Sequence, residues 1–387
     1  MRILFSCLET HGHCYPLLPL AGAASEAGHE VVVATGEKLH PAVRAAGVRP
    51  VAAGISVERA FGTVAVDGSG AHPARLSPER RERLVEKLFG DVLPRGFFPD
   101  LRALLDTTGF DLVVYETANP GAALAAASAG VPAICHGFGR ELAGSFTTVL
   151  EKQLSGYAGE LGIALPENGG GTLGNPYVDV FPTSLQDPGV LELPNRVELR
   201  PVPFTESGEL PVELTAPRPD SRLVYLTLGT GFGTAAVLRT ALEGLAGLES
   251  TEVVVATGPS VTPEELGTPP DNVTVFSWLP QAKLFAHVDL VVHHGGSGTT
   301  LGALGEAVPQ LFLPQGADQF DNSEVVSARG AGLRLLPDEL DARSVAAAAE
   351  SLLSTVGGSG ALRSLASETR ARPAPEKVVE RFPEFVR

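Results

Sequence analysis

Leu290-Val291-Val292-His293-His294-Gly295-Gly296-Ser297-Gly298-Thr299-Thr300 is the most informative stretch of this chain. Its apolar start reads as a buried strand, and the helical pattern that resumes near Thr300 reads as the helix fed by that strand. Strand, glycine-rich turn and helix in that order make the βα unit of a parallel sheet. Glycines let backbone amides approach an anion closely, and the first amides of a helix have no partner within it. A phosphate placed there meets several N–H donors and the positive end of the helix dipole. The hydroxyls of Ser297, Thr299 and Thr300 and a ring nitrogen of His294 add further donors. The alternative is a glycine-rich turn that holds no ligand.

The segment contains no Walker pattern, GxxxxGK[S/T], and no dinucleotide fingerprint, GxGxxG. Gly229-Thr230-Gly231-Phe232-Gly233 comes nearest to the second, but its third glycine is misplaced. Glu249, about 20 residues on, precedes the next strand instead of ending it, which disfavours a dehydrogenase. Thr230 is expected to line the same anion site from a neighbouring strand.

The βα rhythm extends outward in both directions. Upstream of the central stretch, strands are expected at Leu223–Leu228, Glu252–Ala256 and Val273–Ser277, and one is expected after it at Gln310–Leu313. The first part of the chain shows the same alternation, with strands at Ile3–Ser6, Glu30–Ala34, Leu112–Tyr115 and Pro132–Cys135. Between the first two of these, Leu17, Leu18, Ala21, Ala24 and Ser25 fall at helical spacing, and Gly28 stands where a helix ends. The pattern predicts two α/β halves with parallel sheets. The stretch from Leu199 to Arg222 carries five prolines without periodicity and reads as the linker between them. Irregular regions at 66–78 and 166–176 read as mobile surface loops. After a proline-interrupted stretch, Val378–Arg387 reads as a last helix that packs away from its own sheet.

Composition narrows the function. A chain of 387 residues with 44% hydrophobic content can bury sizeable cores, and 19% charged residues argue against disorder. Its formal charge of −16 opposes binding to nucleic acid or anionic lipid. The three cysteines, Cys7, Cys14 and Cys135, have no CxxC or Cys/His ligand spacing, so neither a zinc site nor a disulfide framework is expected. No apolar run approaches the ~20 residues of a membrane span, and the start of the chain does not read as a signal peptide. A cytoplasmic location is expected.

Three segments in the second half, Trp278-Leu279-Pro280-Gln281, His293 to Thr300, and Pro314-Gln315-Gly316-Ala317-Asp318-Gln319, together resemble the donor-binding signature of family 1 nucleotide-sugar glycosyltransferases. Gly12-His13-Cys14-Tyr15-Pro16 resembles the acceptor-side motif of the same family. The similarity spans essentially the whole chain and is greatest to actinomycete natural-product enzymes, including those of enediyne (calicheamicin-type) biosynthesis. It implies a GT-B fold: two Rossmann-like domains whose parallel sheets face across a cleft. The expected division is an acceptor-binding domain at 1–200, a linker at 201–221, a nucleotide-sugar domain at 222–370, and a C-terminal helix at 371–387 that returns to the first domain.

The resemblance also implies roles for individual residues. Trp278 would stack on or flank the nucleobase, the Leu279 backbone would read the base edge, and Gln281 would approach the ribose; for Trp278 the alternative is core packing. His294, Gly295, Gly296, Ser297, Gly298 and Thr299 would cradle the diphosphate. Asp318 and Gln319 would bind sugar hydroxyls, the alternative being a solvated loop pair. Plant members place a Glu for the ribose where this chain has Gly302, a departure compatible with a deoxythymidine diphosphate (dTDP) donor.

His13 would be the base that deprotonates an acceptor hydroxyl, with Glu116 in place of the family's Asp as its partner. Alternatively, His13 caps the following helix and Glu116 is a solvated strand-end acid. Phe61, Phe89 and Phe138 would line an apolar acceptor pocket, or belong to the core. No D-x-D pair is present, so no metal and no cofactor is expected. The partners expected are a nucleotide sugar and a small hydrophobic aglycone, with a homodimer left open. The implied activity is inverting, metal-independent transfer of a sugar or deoxysugar from a nucleoside diphosphate donor, expected to be a dTDP-sugar, to a hydroxyl of a small natural-product aglycone in antibiotic biosynthesis. Two alternatives share the fold, a nucleotide-sugar epimerase or hydrolase and a catalytically silent auxiliary partner of another glycosyltransferase.

Overall fold

The computed structural model describes all residues except 65–77, 142–144, 167–169, 205–207, 217, 356–358 and 387. Most of the irregular region expected at 66–78, and 167–169 of the second, lie outside the described residues. The chain divides into two compact units. One comprises Met1–Phe181, Gln186–Arg200 and Arg372–Arg387, and the other Pro182–Leu185 and Pro201–Ala371.

The first unit is built on seven strands: β1 (Arg2–Ser6), β2 (Glu30–Thr35), β3 (Arg49–Ala52), β4 (Leu112–Glu116), β5 (Ala133–His136), β6 (Tyr177–Asp179) and β7 (Arg196–Glu198). They pair in the order β3-β2-β1-β4-β5-β6-β7, parallel throughout. The apolar runs of β1, β2 and β4 are continuous because helices cover both faces, as parallel sheets require. Leu4, Val32, Val113 and Tyr115 are buried in this core with Phe97. The helix Leu18–Glu26 has Pro19 in its first turn and ends before Gly28, whose φ of +86° a side-chain-bearing residue rarely adopts. The strand order reverses between β1 and β4, the switch point where open α/β sheets bind ligands beyond their strand ends.

The end of the chain belongs to this first unit. The last helix is shorter than expected, running from Pro375 to Val379 and followed by a single 3-10 turn, Phe382–Glu384. The helix packs on Leu18–Glu26. Arg372 ties it down by donating to the carbonyls of Asp179 at 2.6 Å and Leu199 at 3.1 Å. The fully buried Asp179 carboxylate also pairs with Arg196 Nε at 2.8 Å.

The second unit holds β8 (Arg222–Thr227), β9 (Thr251–Ala256), β10 (Val273–Phe276), β11 (Leu290–His293), β12 (Gln310–Phe312) and β13 (Gly332–Arg334). Their order is β10-β9-β8-β11-β12-β13, again parallel, with the switch point between β8 and β11. Val224, Leu226, Val253, Val255, Leu290 and Val292 pack on one face of the sheet. Tyr225, Val254, Val291, Phe285 and Ala303 pack on the other. The helix after β11 starts at Ser297, three residues before the expected position. Among the described residues, no helix is long and apolar enough to cross a membrane.

Candidate functional site

In the second unit the residues around the switch point form a cradle. Gly296 is the N-cap of the helix Ser297–Gly305 in extended conformation, and no side chain caps it. The early helix start turns Ser297, Gly298 and Thr299 into its first turn, so their amides are the ones without intrahelical acceptors. Thr300 is committed to the helix, since its Oγ1 donates to the Gly296 carbonyl at 3.0 Å.

The His294 ring lies against two glycine backbones. A Cβ on Gly229, just after β8, would come 2.4 Å from its Cε1, and one on Gly296 would come 2.4 Å from its Nε2. Gly229 also has φ +70°. Burial lowers the His294 pKa to about 4 and its enclosed Nδ1 has no hydrogen-bond partner among the described residues, so the ring is a neutral donor at pH 7.

His293, fully buried, holds the loop from below. Its Nδ1 accepts from the Gly295 amide at 3.2 Å, which places the proton on Nε2, 2.9 Å from Gln310 Oε1. Burial and the neighbouring His294 bring the His293 pKa down to about 3. Thr230 follows Gly229, and its carbonyl accepts from Ser260 Oγ at 3.3 Å.

Of the other residues expected to bind the donor, Gln281, Asp318 and Gln319 lie against this loop. Trp278 is 42% exposed, so it is not a core tryptophan. Leu279 is buried, and its carbonyl accepts from the Gln281 amide at 2.8 Å. Gln281 Oε1 in turn accepts from Thr299 Oγ1 at 3.3 Å. Asp318 Oδ2 accepts from Ser297 Oγ at 2.7 Å, which gives the Ser297 proton an acceptor within the protein. Gln319 is buried, and its Oε1 accepts from the amides of Gln315 and Gly316 at 2.8 and 3.1 Å, closing the turn before it. Gly302 faces Phe285 so closely that a Cβ there would lie 2.3 Å from the ring. A Glu side chain has no room at this position.

In the first unit, His13 lies in the one-turn helix His11–Cys14 beyond β1, and Glu116 ends the adjacent strand β4. His13 Nδ1 is 3.0 Å from Glu116 Oε1, the carboxylate being fully buried and the imidazole 20% exposed. The Ala118 amide also donates to Glu116 Oε1, at 2.7 Å. Such a pair orients the ring with Nδ1 toward the carboxylate and Nε2 as the basic nitrogen. Phe138 packs on the imidazole with ring centroids 4.6 Å apart. Phe61 and Phe89 are half-buried and pack against the sheet core.

The N-terminal domain of the erythromycin biosynthesis protein CIII-like family matches residues 23–229, and its C-terminal domain matches 239–385. The chain belongs to this family, and it is a glycosyltransferase of GT-B architecture. L-demethylnoviosyl transferase of Streptomyces niveus is 34% identical, over 98% of this chain and 97% of its own. Elloramycin glycosyltransferase ElmGT of Streptomyces olivaceus is 30% identical, over 99% and 97%. The structure of the Streptomyces sp. SF2575 glycosyltransferase SsfS6 complexed with thymidine diphosphate superposes with a TM-score of 0.76, at 27% identity and 99% coverage of each chain.

The glycosyltransferase also contains polar residues that sequence reasoning passed over. Glu141, in the loop after β5, accepts from Tyr177 OH at 3.2 Å and Thr117 Oγ1 at 3.4 Å, and burial raises its pKa to about 7. Thr117 directly follows Glu116, so a second carboxyl stands beside the His13 pair. Asn322 lies beneath Asp318, four residues later on the same helix. That i,i+4 spacing was a readable signal for Asn322. Glu141 carried none, because Tyr177 and Thr117 are far from it in sequence.

Proposed function

We propose that this enzyme transfers a deoxysugar from a dTDP-sugar to a hydroxyl of a small hydrophobic natural product in antibiotic biosynthesis, with inversion at the anomeric carbon and without a metal. The observation that carries this reading is the pairing of an uncapped helix N-terminus with a neutral His294 at one switch point and a half-buried His13 against the buried Glu116 at the other. The relatives' names support the substrate class, and the thymidine diphosphate complex of SsfS6 supports the nucleotide.

In this scheme His13 Nε2 takes the proton from the acceptor hydroxyl as its oxygen attacks the anomeric carbon. The bond from that carbon to the diphosphate oxygen breaks, and the diphosphate leaves with its electron pair. Its negative charge is met by the amides of residues 297–299, the helix dipole and a His294 N–H. Glu116 stabilises the imidazolium that forms. Trp278 offers an exposed aromatic face to the base. The filled space at Gly302 removes one ribose contact, in keeping with a deoxyribose nucleotide.

The test is incubation of the enzyme with dTDP-sugars and a panel of polyketide and aromatic aglycones in EDTA, following glycoside and dTDP by mass spectrometry. Glycoside of inverted configuration, formed at an undiminished rate in EDTA, is expected. Free or isomerised sugar without glycoside would favour a hydrolase or epimerase. Activity lost to EDTA and restored by magnesium would overturn the metal-free mechanism.

A further inference from the structure

The donor residues predicted in two separate segments are joined in the structure by a side chain that neither segment contains. Asn322 is fully buried on the helix Gln319–Ala328. Its Nδ2 lies 2.9 Å from the Gly295 carbonyl, 2.9 Å from Asp318 Oδ2 and 3.1 Å from Ser297 Oγ. A carbonyl and a carboxylate oxygen can only accept, so the amide nitrogen must face them, and its two hydrogens are shared among three acceptors. The Ser297 hydroxyl spends its proton on the same Asp318 oxygen at 2.7 Å. Gly295, Ser297 and Asp318 are thus tied through one amide group. Each removal would leave a buried acceptor unmet, which makes the arrangement sensitive to small changes.

We propose that Asn322 is a positioning residue that fixes Asp318 relative to the diphosphate cradle, and so sets how well the enzyme holds a nucleoside diphosphate sugar over the bare nucleoside diphosphate. This rests on the donor-site reading given above. Without the amide, Asp318 Oδ2 loses a donor and its carboxylate can turn away from the cradle. Although Asn322 also touches Gly295 and Ser297, the amides of residues 297–299 are set by the helix Ser297–Gly305 and the loop before it is held by His293, so diphosphate binding itself is largely retained. Discrimination between the two ligands separates this role from general structural support.

The experiment is calorimetric titration of the full-length enzyme and its Asn322→Leu and Asn322→Ser variants with dTDP and with dTDP-glucose, melting curves confirming the fold. If the leucine variant does not fold, the serine variant, which retains one donor, carries the test. The expected result is a Kd for dTDP within threefold of the parent and one for dTDP-glucose at least tenfold weaker. In an Asp318→Asn background the same substitution should change dTDP-glucose binding by less than threefold, because the route through Asp318 is already broken. Equal weakening of both ligands, no weakening of either, or an undiminished effect in the Asp318→Asn background would each overturn the proposal. A parent enzyme that binds neither ligand would instead remove the donor-site reading, and the proposal with it.

Discussion

At the scale of single residues, the His13–Glu116 pair and the buried histidines make separate predictions. His13→Ala should lower turnover by about 10²–10⁴-fold, the usual contribution of a general base, while leaving dTDP binding unchanged. Glu116→Gln should lower turnover strongly as well, since it no longer stabilises the imidazolium. Near-normal turnover of His13→Ala would remove it as the base. Stability should also depend on pH. Burial lowers His136 to about 4, as it lowers His293 to about 3 and His294 to about 4. Below their ordinary value near ~6.5 the unfolded chain takes up three protons that the folded chain refuses, so stability falls as pH falls. Glu141, raised to about 7, acts in the opposite sense, because the folded chain keeps a proton the unfolded chain loses above about 4.5. The net is up to two protons between about pH 6.5 and 4.5, a loss of up to about 2.7 kcal/mol per pH unit. Urea unfolding across that range should show the fall, and Glu141→Gln should steepen it.

At the scale of elements, the sequence made most strands legible and hid four short ones. β1, β2, β4, β8, β9 and β11 are buried on both faces and read as unbroken apolar runs. The overlooked strands β3, β6, β7 and β13 have three or four residues each; Pro50 interrupts β3, and β13 carries Gly332 and Arg334. Their pairing comes from neighbouring strands and not from their own pattern. The helix start was misplaced by three residues because Ser297, Gly298 and Thr299 look like loop residues. Their helical conformation leaves their amides without intrahelical acceptors. The Gly302 departure has a physical cause that no spacing reveals, the ring of Phe285 on the facing element. Gly302→Glu should therefore add no ribose contact and should destabilise the fold by about 1–3 kcal/mol through overpacking. A lowered melting temperature with weaker dTDP binding checks this, and tighter dTDP binding would contradict it.

At the scale of the whole molecule, two doubly wound sheets each place a polar constellation beyond the reversal of their strand order. On the proposed reading the acidic charge of −16 does not oppose a diphosphate ligand, because amide dipoles and a neutral imidazole would meet it locally. The chain's final segment folds with the first unit because Arg372, 2% exposed, reaches Asp179. Arg372→Met would leave that buried carboxylate one partner short and should cost about 3–5 kcal/mol, read as a lower denaturation midpoint. An unchanged midpoint would show that the C-terminal segment is held by apolar packing alone. The proposed function places a nucleotide diphosphate at the segment from His293 to Thr300. Calorimetric titration of dTDP into the parent, His13→Ala and His294→Ala enzymes in EDTA tests it most directly. One site per chain is expected, with the same affinity in the parent and His13→Ala and at least about tenfold weaker binding in His294→Ala, a loss of about 1.4 kcal/mol. Absence of dTDP binding, or equal affinity in all three, would contradict the claim.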